Sequence, residues 1–256
     1  MFGREIGLEL WRKLRKGIMP KNSSRFTVPI KRTPSGKSPD RTLSIIIPAA
    51  GAGHRMRSYG PKCLLPVGGK NTVMGRALNI IKDSFEYNEI ILIVGFEADK
   101  IIDVVPNNIR IVENQNYESS NTAESLRLGL NNCVGESVLI LHGDIIFNQD
   151  IIESVVTGES SVVISNHLKT EKIGLTVVND YATHFAYGLD KKWGQIAYLT
   201  GQELDICKSV CRNRKRGKLY TFEILNLVME NGGKLRTVEA DKSAIMEIDC
   251  IRDLQK

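Results

Sequence analysis

The sequence predicts an α/β fold with a mostly parallel, mixed central sheet flanked by helices. Three observations predict it. Short β-branched runs recur along the chain, each bounded by turn residues, and stretches with helical spacing of apolar side chains lie between them. The first runs hold consecutive apolar residues, such as Ile45, Ile46 and Ile47, rather than one at every second position, as in strands covered on both faces.

Residues 43–48 (Leu43, Ser44, Ile45, Ile46, Ile47, Pro48) form the first such run, and others follow at 89–95, 109–113, 137–141 and 161–165. The stretch 72–85 places Val73, Ala77, Leu78, Ile80 and Ile81 on one side of a helix. Residues 121–130 read as a polar cap followed by Ala123, Leu126 and Leu130. Strand, helix, strand in this order implies right-handed parallel crossovers. From about Lys172 the pattern shifts to short strands near 175–178, 184–189 and 195–199, then helices over 202–213 and 220–230. Strands over 234–239 and 244–248 and a short helix close the chain. The expectation is one domain over 42–256 whose second half adds a small lid-like subregion over the ends of the first sheet.

With 42% hydrophobic and 25% charged residues, the 256-residue chain has the balance of a soluble globular protein. Its apolar runs fall far short of the roughly 20 residues that cross a bilayer. Glu9, Arg12 and Lys13 interrupt the order of a secretory signal. Five cysteines at 63, 133, 207, 211 and 250 make no disulfide framework and fit a reducing cytoplasm. Cys207 and Cys211 share a helix face, but no second close pair completes a structural zinc site. Residues 1–41 carry eleven Lys and Arg against three acids, a net of +8 in a chain of +6, so the remainder is near −2. This basic N-terminal extension, broken by Pro20, Pro29, Pro34 and Pro39, is expected as a solvated, flexible arm that could meet an anionic partner. The near-neutral remainder argues against nucleic-acid binding.

The first strand runs directly into Pro48, Ala49, Ala50, Gly51, Ala52 and Gly53. Small residues there let backbone amides approach an anion, which points to a phosphate. A dinucleotide fingerprint fails because Met56 stands where a third Gly is needed, and a P-loop ending at Gly69 and Lys70 fails at Leu64 and Asn71.

The whole series is Ala49, Ala50, Gly51, Gly53, Arg55, Met56, Pro61, Lys62, Leu65, Pro66, Val67 and Gly68. It resembles the signature of nucleotidyltransferases with a glycosyltransferase-A-like fold, which include sugar-phosphate nucleotidyltransferases and the choline-phosphate and methylerythritol-phosphate cytidylyltransferases. The resemblance covers roughly Leu43 to the C-terminus and implies a Rossmann-like nucleotide-diphospho-sugar transferase fold. It implies an NTP and a small phosphorylated acceptor as substrates, with pyrophosphate released. Arg55 would lie near the departing pyrophosphate and Lys62 near the reacting phosphates. A planar guanidinium fork and a compact ammonium suit those two roles.

Residues 138–144 end at Asp144, at the carboxyl edge of the presumed sheet, where open α/β folds bind ligands. The resemblance makes Asp144 and Asp249 the carboxylates that hold Mg2+, an ion satisfied by few carboxylates plus water and phosphate oxygens. Glu247 is expected on the opposite face of the last strand. Asn121 and Thr122, helped by Asn114 or Asn116, are the residues that the resemblance assigns to the base. Trp193, Tyr198 and Tyr220 are read either as an aromatic wall for an acceptor such as phosphocholine or as packing. None of the four histidines shows triad or metal spacing. The family's isoprenoid branch carries His-Asp and then Arg-Pro near the metal strand, whereas Leu141, His142, Gly143 and Asp144 lead here into Ile145 and Ile146. A molybdopterin-type acceptor and a silent nucleotide-binding scaffold are the rival readings. Retention of Arg55, Lys62, Asp144 and Asp249 together argues against the scaffold.

Overall fold

β1 (Leu43–Pro48) is buried at all six positions, and its side chains feed two cores in alternation. Ile46 packs into one, with Ile91, Ile93, Leu126 and Leu225; Ile45 and Ile47 pack into the other, with Met74, Leu78, Ile81 and Ile152. Each isoleucine buried this way contributes about 1.5–3 kcal/mol. A strand that serves two cores is apolar on both faces, which is why Ile45, Ile46 and Ile47 show no alternation. The one polar side chain, Ser44, is buried with hydrogen bonds to Glu89 and the Gly135 amide. The computed structural model describes residues 43–53, 60–68, 71–86, 88–165, 172–241, 244–248 and 253. The 1–41 extension, Arg55 and Asp249 lie outside the described residues.

The first half is α1 (Val73–Ser84), β2 (Asn88–Val94), α2 (Ala98–Ile102), β3 (Arg110–Glu113), α3 (Thr122–Asn132) and β4 (Ser137–Leu141). The Thr72 hydroxyl opens α1 by accepting from the Gly75 amide at 3.0 Å. Then come β5 (Ile145–Phe147), α4 (Gln149–Val155), β6 (Ser161–Ser165), β7 (Ile173–Val178), β8 (Tyr181–Tyr187), β9 (Lys191–Thr200), α5 (Gly201–Arg212), α6 (Thr221–Glu230), β10 (Arg236–Ala240) and β11 (Ile245–Glu247). The sheet order is β3-β2-β1-β4-β9-β6-β10-β8-β7, with β11 pairing β5 apart from it. β1 is parallel to both β2 and β4, and β9 is antiparallel to both β4 and β6. The central sheet is mixed and flanked by helices, as expected.

The second half, expected as a lid over the sheet, is in the described residues the far side of the same sheet. β7 and β8 form a hairpin whose Asn179 and Asp180 both take positive φ, 50° and 65°, as a two-residue primed turn demands. β7 also pairs the start of β9, so the pairing returns upon itself through β9, β6, β10, β8 and β7. Residues of this ring, rather than of a separate lobe, form one side of the cavity beside Asp144.

α3 rests on β1 through Gly129, where an added Cβ would meet Ile46 Cγ2 at 2.5 Å. Gly129→Val is therefore expected to destabilise the fold by about 1–3 kcal/mol through overpacking. Urea unfolding checks this, and an unchanged midpoint would contradict the close approach.

Candidate active site

The ends of β1 and β4 are drawn together by small residues. The Gly143 amide donates to Pro48 O at 3.0 Å, and an added Cβ on Gly143 would lie 2.9 Å from Ala49 Cβ. Only glycine permits that approach, and it sets Asp144 beside the turn that follows β1. On the other flank Gly95 meets Ala50, whose carbonyl accepts from the Phe96 amide at 3.0 Å. The Ala49 amide extends the ladder to Ile93 O at 2.8 Å, so it is engaged by protein. Gly51 is different: it is exposed, and an added Cβ would have nothing within 4 Å.

Lys62 opens a one-turn 3-10 helix (Lys62–Leu64) behind Pro61. Its stem lies against Gly53, which has φ +51° and would crowd Lys62 Cε at 3.3 Å if it carried a Cβ. Lys62 Nζ reaches Asp144 Oδ2 at 3.2 Å, and both side chains are mostly buried. Asp144 is also fixed through its backbone, since Ile248 N–H donates to its carbonyl at 2.8 Å. Next to Lys62, burial pushes the Cys63 thiol up to about 12, so it stays protonated and is no nucleophile. Native protein at pH 8 is expected to leave Cys63 unmodified by iodoacetamide, and unfolded protein to modify it. Peptide mass spectrometry reads the difference, and labelling of the native thiol would contradict it.

A cavity of about 280 Å³ opens beside this pair, lined by Thr122, Asp144, Tyr187, Trp193, Tyr220 and Glu247 among others. Thr122 stands at the start of α3, where its hydroxyl accepts from the Thr221 amide at 2.7 Å. Glu223 fixes the start of α6 by accepting from the Tyr220 amide at 2.8 Å, which sets Tyr220, Thr221 and Phe222 along the wall. Asn121 is the N-cap of α3 but makes no capping bond with its side chain; its amide donates to Lys218 O at 2.7 Å. Asn114 is buried and spends its side chain on Ser120, Ser125 and the Asn116 amide, so it braces the loop. Of the three aromatic candidates, Trp193 and Tyr220 reach the cavity, while Tyr198 packs in the core with Ile45 and Leu139.

The expectation for Glu247 is overturned. Glu247 lines the cavity with Asp144 and forms ion pairs to Lys172 Nζ at 2.9 Å and Lys192 Nζ at 3.3 Å. Burial raises its carboxyl, yet the Lys172 hydrogen bond and the Lys192 charge outweigh that and hold it below the usual range. His142 also reaches the cavity, where burial lowers its pKa, and its Nε2 has no hydrogen-bond partner among the described residues. The sequence carries no strand-alternation signal for it, because β4 ends at Leu141 and residues 143–144 form a turn.

Residues 45–189 match the MobA-like NTP transferase domain. The bifunctional protein GlmU of Methanococcus vannielii is 30% identical over 212 residues, 79% of this chain and 48% of GlmU. GlmU of Neisseria meningitidis serogroup A is 23% identical over 222 residues, 80% of this chain and 48% of that protein. The chain thus spans about half the length of the curated relatives it matches. Among solved structures, the CTP:phosphocholine cytidylyltransferase from Streptococcus pneumoniae superposes with a TM-score of 0.72 at 19% identity, covering 84% of this chain and 96% of that one. The inositol-1-phosphate CTP transferase from T. maritima gives 0.66 at 17% identity, covering 82% and 90%. At such identities the likeness is one of fold.

Proposed function

The chain belongs to the family of MobA-like NTP transferase domains, and from that premise we propose that it moves the nucleoside monophosphate of an NTP onto a small phosphorylated acceptor, releasing pyrophosphate. One observation carries the reading: Lys62 Nζ sits 3.2 Å from Asp144 Oδ2, beside a glycine-lined turn at the carboxyl ends of parallel strands. An ammonium held there can stabilise charge that builds on the reacting phosphate.

In this reading an acceptor phosphate oxygen attacks the α-phosphorus in line, and the bond to the bridging oxygen breaks as pyrophosphate leaves with its electron pair. No general base is needed, because the attacking phosphate is already ionised. Gly51 and Gly53 leave room for the triphosphate, Lys62 meets the α-phosphate, and Thr122 borders the nucleoside. Arg55, by its place in the motif, assists the departing group.

The donor set suits a hard ion. Asp144 offers a partly exposed carboxylate, and among the described residues no group of three or more His, Cys, Asp or Glu forms a cage. That favours an ion that keeps water and takes one or two carboxylates with phosphate oxygens, as Mg2+ does, over a four-ligand zinc site. Asp144, with Asp249 as the motif implies, would hold it, and it would supply charge neutralisation on the phosphates. Among the described residues no helix is long and apolar enough to cross a membrane.

The test is pyrophosphate release from each common NTP against a panel of sugar phosphates and phosphocholine. Activity is expected with Mg2+, to vanish with EDTA and to return when Mg2+ is restored. Folded protein that binds NTP yet releases no pyrophosphate with any acceptor would refute the assignment.

A further inference from the structure

A strongly basic stretch sits on a rigid turn outside the cavity. Positions 208–218 hold six Lys and Arg and no acid, while residues 42–256 together carry about −2, so the rest of that span carries about −8. Arg214–Lys218 form a 3-10 turn after α5. The Asn213 side chain accepts from the Lys215 amide at 3.1 Å, and the Arg216 guanidinium donates to Val210 O at 3.0 Å. From the other side, Asn121 donates through its backbone to Gly217 O at 2.9 Å and through its side chain to Lys218 O at 2.7 Å.

Arg212, Arg214, Lys215 and Lys218 are exposed and make no ion pair among the described residues. The acids of α3 and α5, the helices packed against the turn, do not offset them. Glu124 is gripped by Arg127 at 2.6 and 2.8 Å, Glu203 bonds Ser160 and the Lys234 amide, and Asp205 lies two helical turns before Arg212. Like charges crowded on a fixed turn repel one another, so folding alone does not account for them. Beside the turn, Tyr220 is 42% exposed and stacks on Phe222, and Tyr187, 61% exposed, meets Phe222 edge-on. Exposed tyrosines next to Lys and Arg suit a lipid headgroup region, where the ring enters the interface and the hydroxyl stays hydrated.

We infer that this face, Arg212, Arg214, Lys215 and Lys218 with Tyr187 and Tyr220 at its border, docks on an anionic phospholipid surface. A bilayer needs only a compact basic patch, whereas a nucleic acid is gripped along a basic track, and the acidic remainder of the domain offers no such extension. Headgroup phosphates match the guanidinium forks of Arg212 and Arg214. None of the four basic residues lines the cavity, so docking is separate from the transfer chemistry.

Cosedimentation of the full chain with vesicles tests this, using phosphatidylcholine alone and an equimolar mixture with phosphatidylglycerol. Partition onto the anionic vesicles is expected to be about tenfold or more stronger and to fall as salt rises. Arg214→Glu combined with Lys215→Glu is expected to weaken that partition about tenfold or more, although the basic 1–41 extension is intact. The same variant is expected to keep or raise Tm, because it relieves repulsion, and to keep pyrophosphate release from soluble substrates. Arg214→Gln with Lys215→Gln serves as the second variant should the reversal fail to fold. Equal partition onto both vesicles overturns the proposal. Undiminished partition of a folded variant also overturns it, since the extension alone would then be the anchor. So does tighter binding of single-stranded RNA or duplex DNA that the variant loses, and a lower Tm in both variants would make the charges structural.

Discussion

Replacing Lys62 by alanine is expected to lower kcat by about 10²- to 10³-fold, the range found when one preorganised electrostatic donor is removed from a reacting centre. The ammonium is mostly buried and already oriented by Asp144 at 3.2 Å, so little reorganisation is left to occur during reaction. The NTP KM is expected to change far less than kcat, because the charge matters most as negative charge builds on the α-phosphate. Lys62→Arg is not expected to rescue the rate. A planar fork cannot reproduce a point charge whose stem is packed against Gly53. Steady-state kinetics with a thermal melt in parallel checks this. A folded variant within about threefold of wild-type kcat would remove Lys62 from the chemistry.

The first half of the fold was legible because its strands are buried on both faces. Ile45, Ile46 and Ile47 serve two cores, and such a run can be read without knowing its partners. Short elements escaped: α2 has five residues and β5 three, too few to show a period. The second half was legible as strands but not as one sheet. Its order depends on β9, whose early residues pair β7 and whose later residues pair β4, and no local pattern encodes such a return. The turn and Asp144 could be placed because each adjoins a recognisable strand. Glu247 was expected on the wrong face, although alternation by two sets positions 247 and 249 on the same side of a strand. Lys172 and Lys192 gave no signal, since both are far from Glu247 in the chain and reach it only through the folded sheet. His142 gave no signal either, because it and Asp144 follow the end of β4, where a turn at 143–144 breaks the alternation of a strand.

Gly143→Ala is expected to reduce kcat by about 100-fold without removing any chemical group, which makes it the sharper test of how the site is assembled. The new Cβ would lie 2.9 Å from Ala49 Cβ, 3.1 Å from Pro48 O and 3.3 Å from Ala49 Cα. None of these atoms can rotate away, because Ala49 is tied to Ile93 and Pro48 to Gly143 itself. The end of β4 must move off the end of β1 instead, and Asp144 moves with it relative to the turn. A misplacement of about 1 Å at a reacting centre costs on the order of 10²-fold in rate. Gly51→Ala supplies the contrast: its Cβ would meet no atom of the described residues within 4 Å, so their packing is undisturbed and the methyl intrudes on ligand space. It is expected to raise the NTP KM while kcat at saturation is largely kept. If β4 sets the reacting geometry and the turn holds the triphosphate, substitution at 143 costs rate and substitution at 51 costs affinity. Wild-type kinetics in both variants would mean that the polyphosphate lies elsewhere.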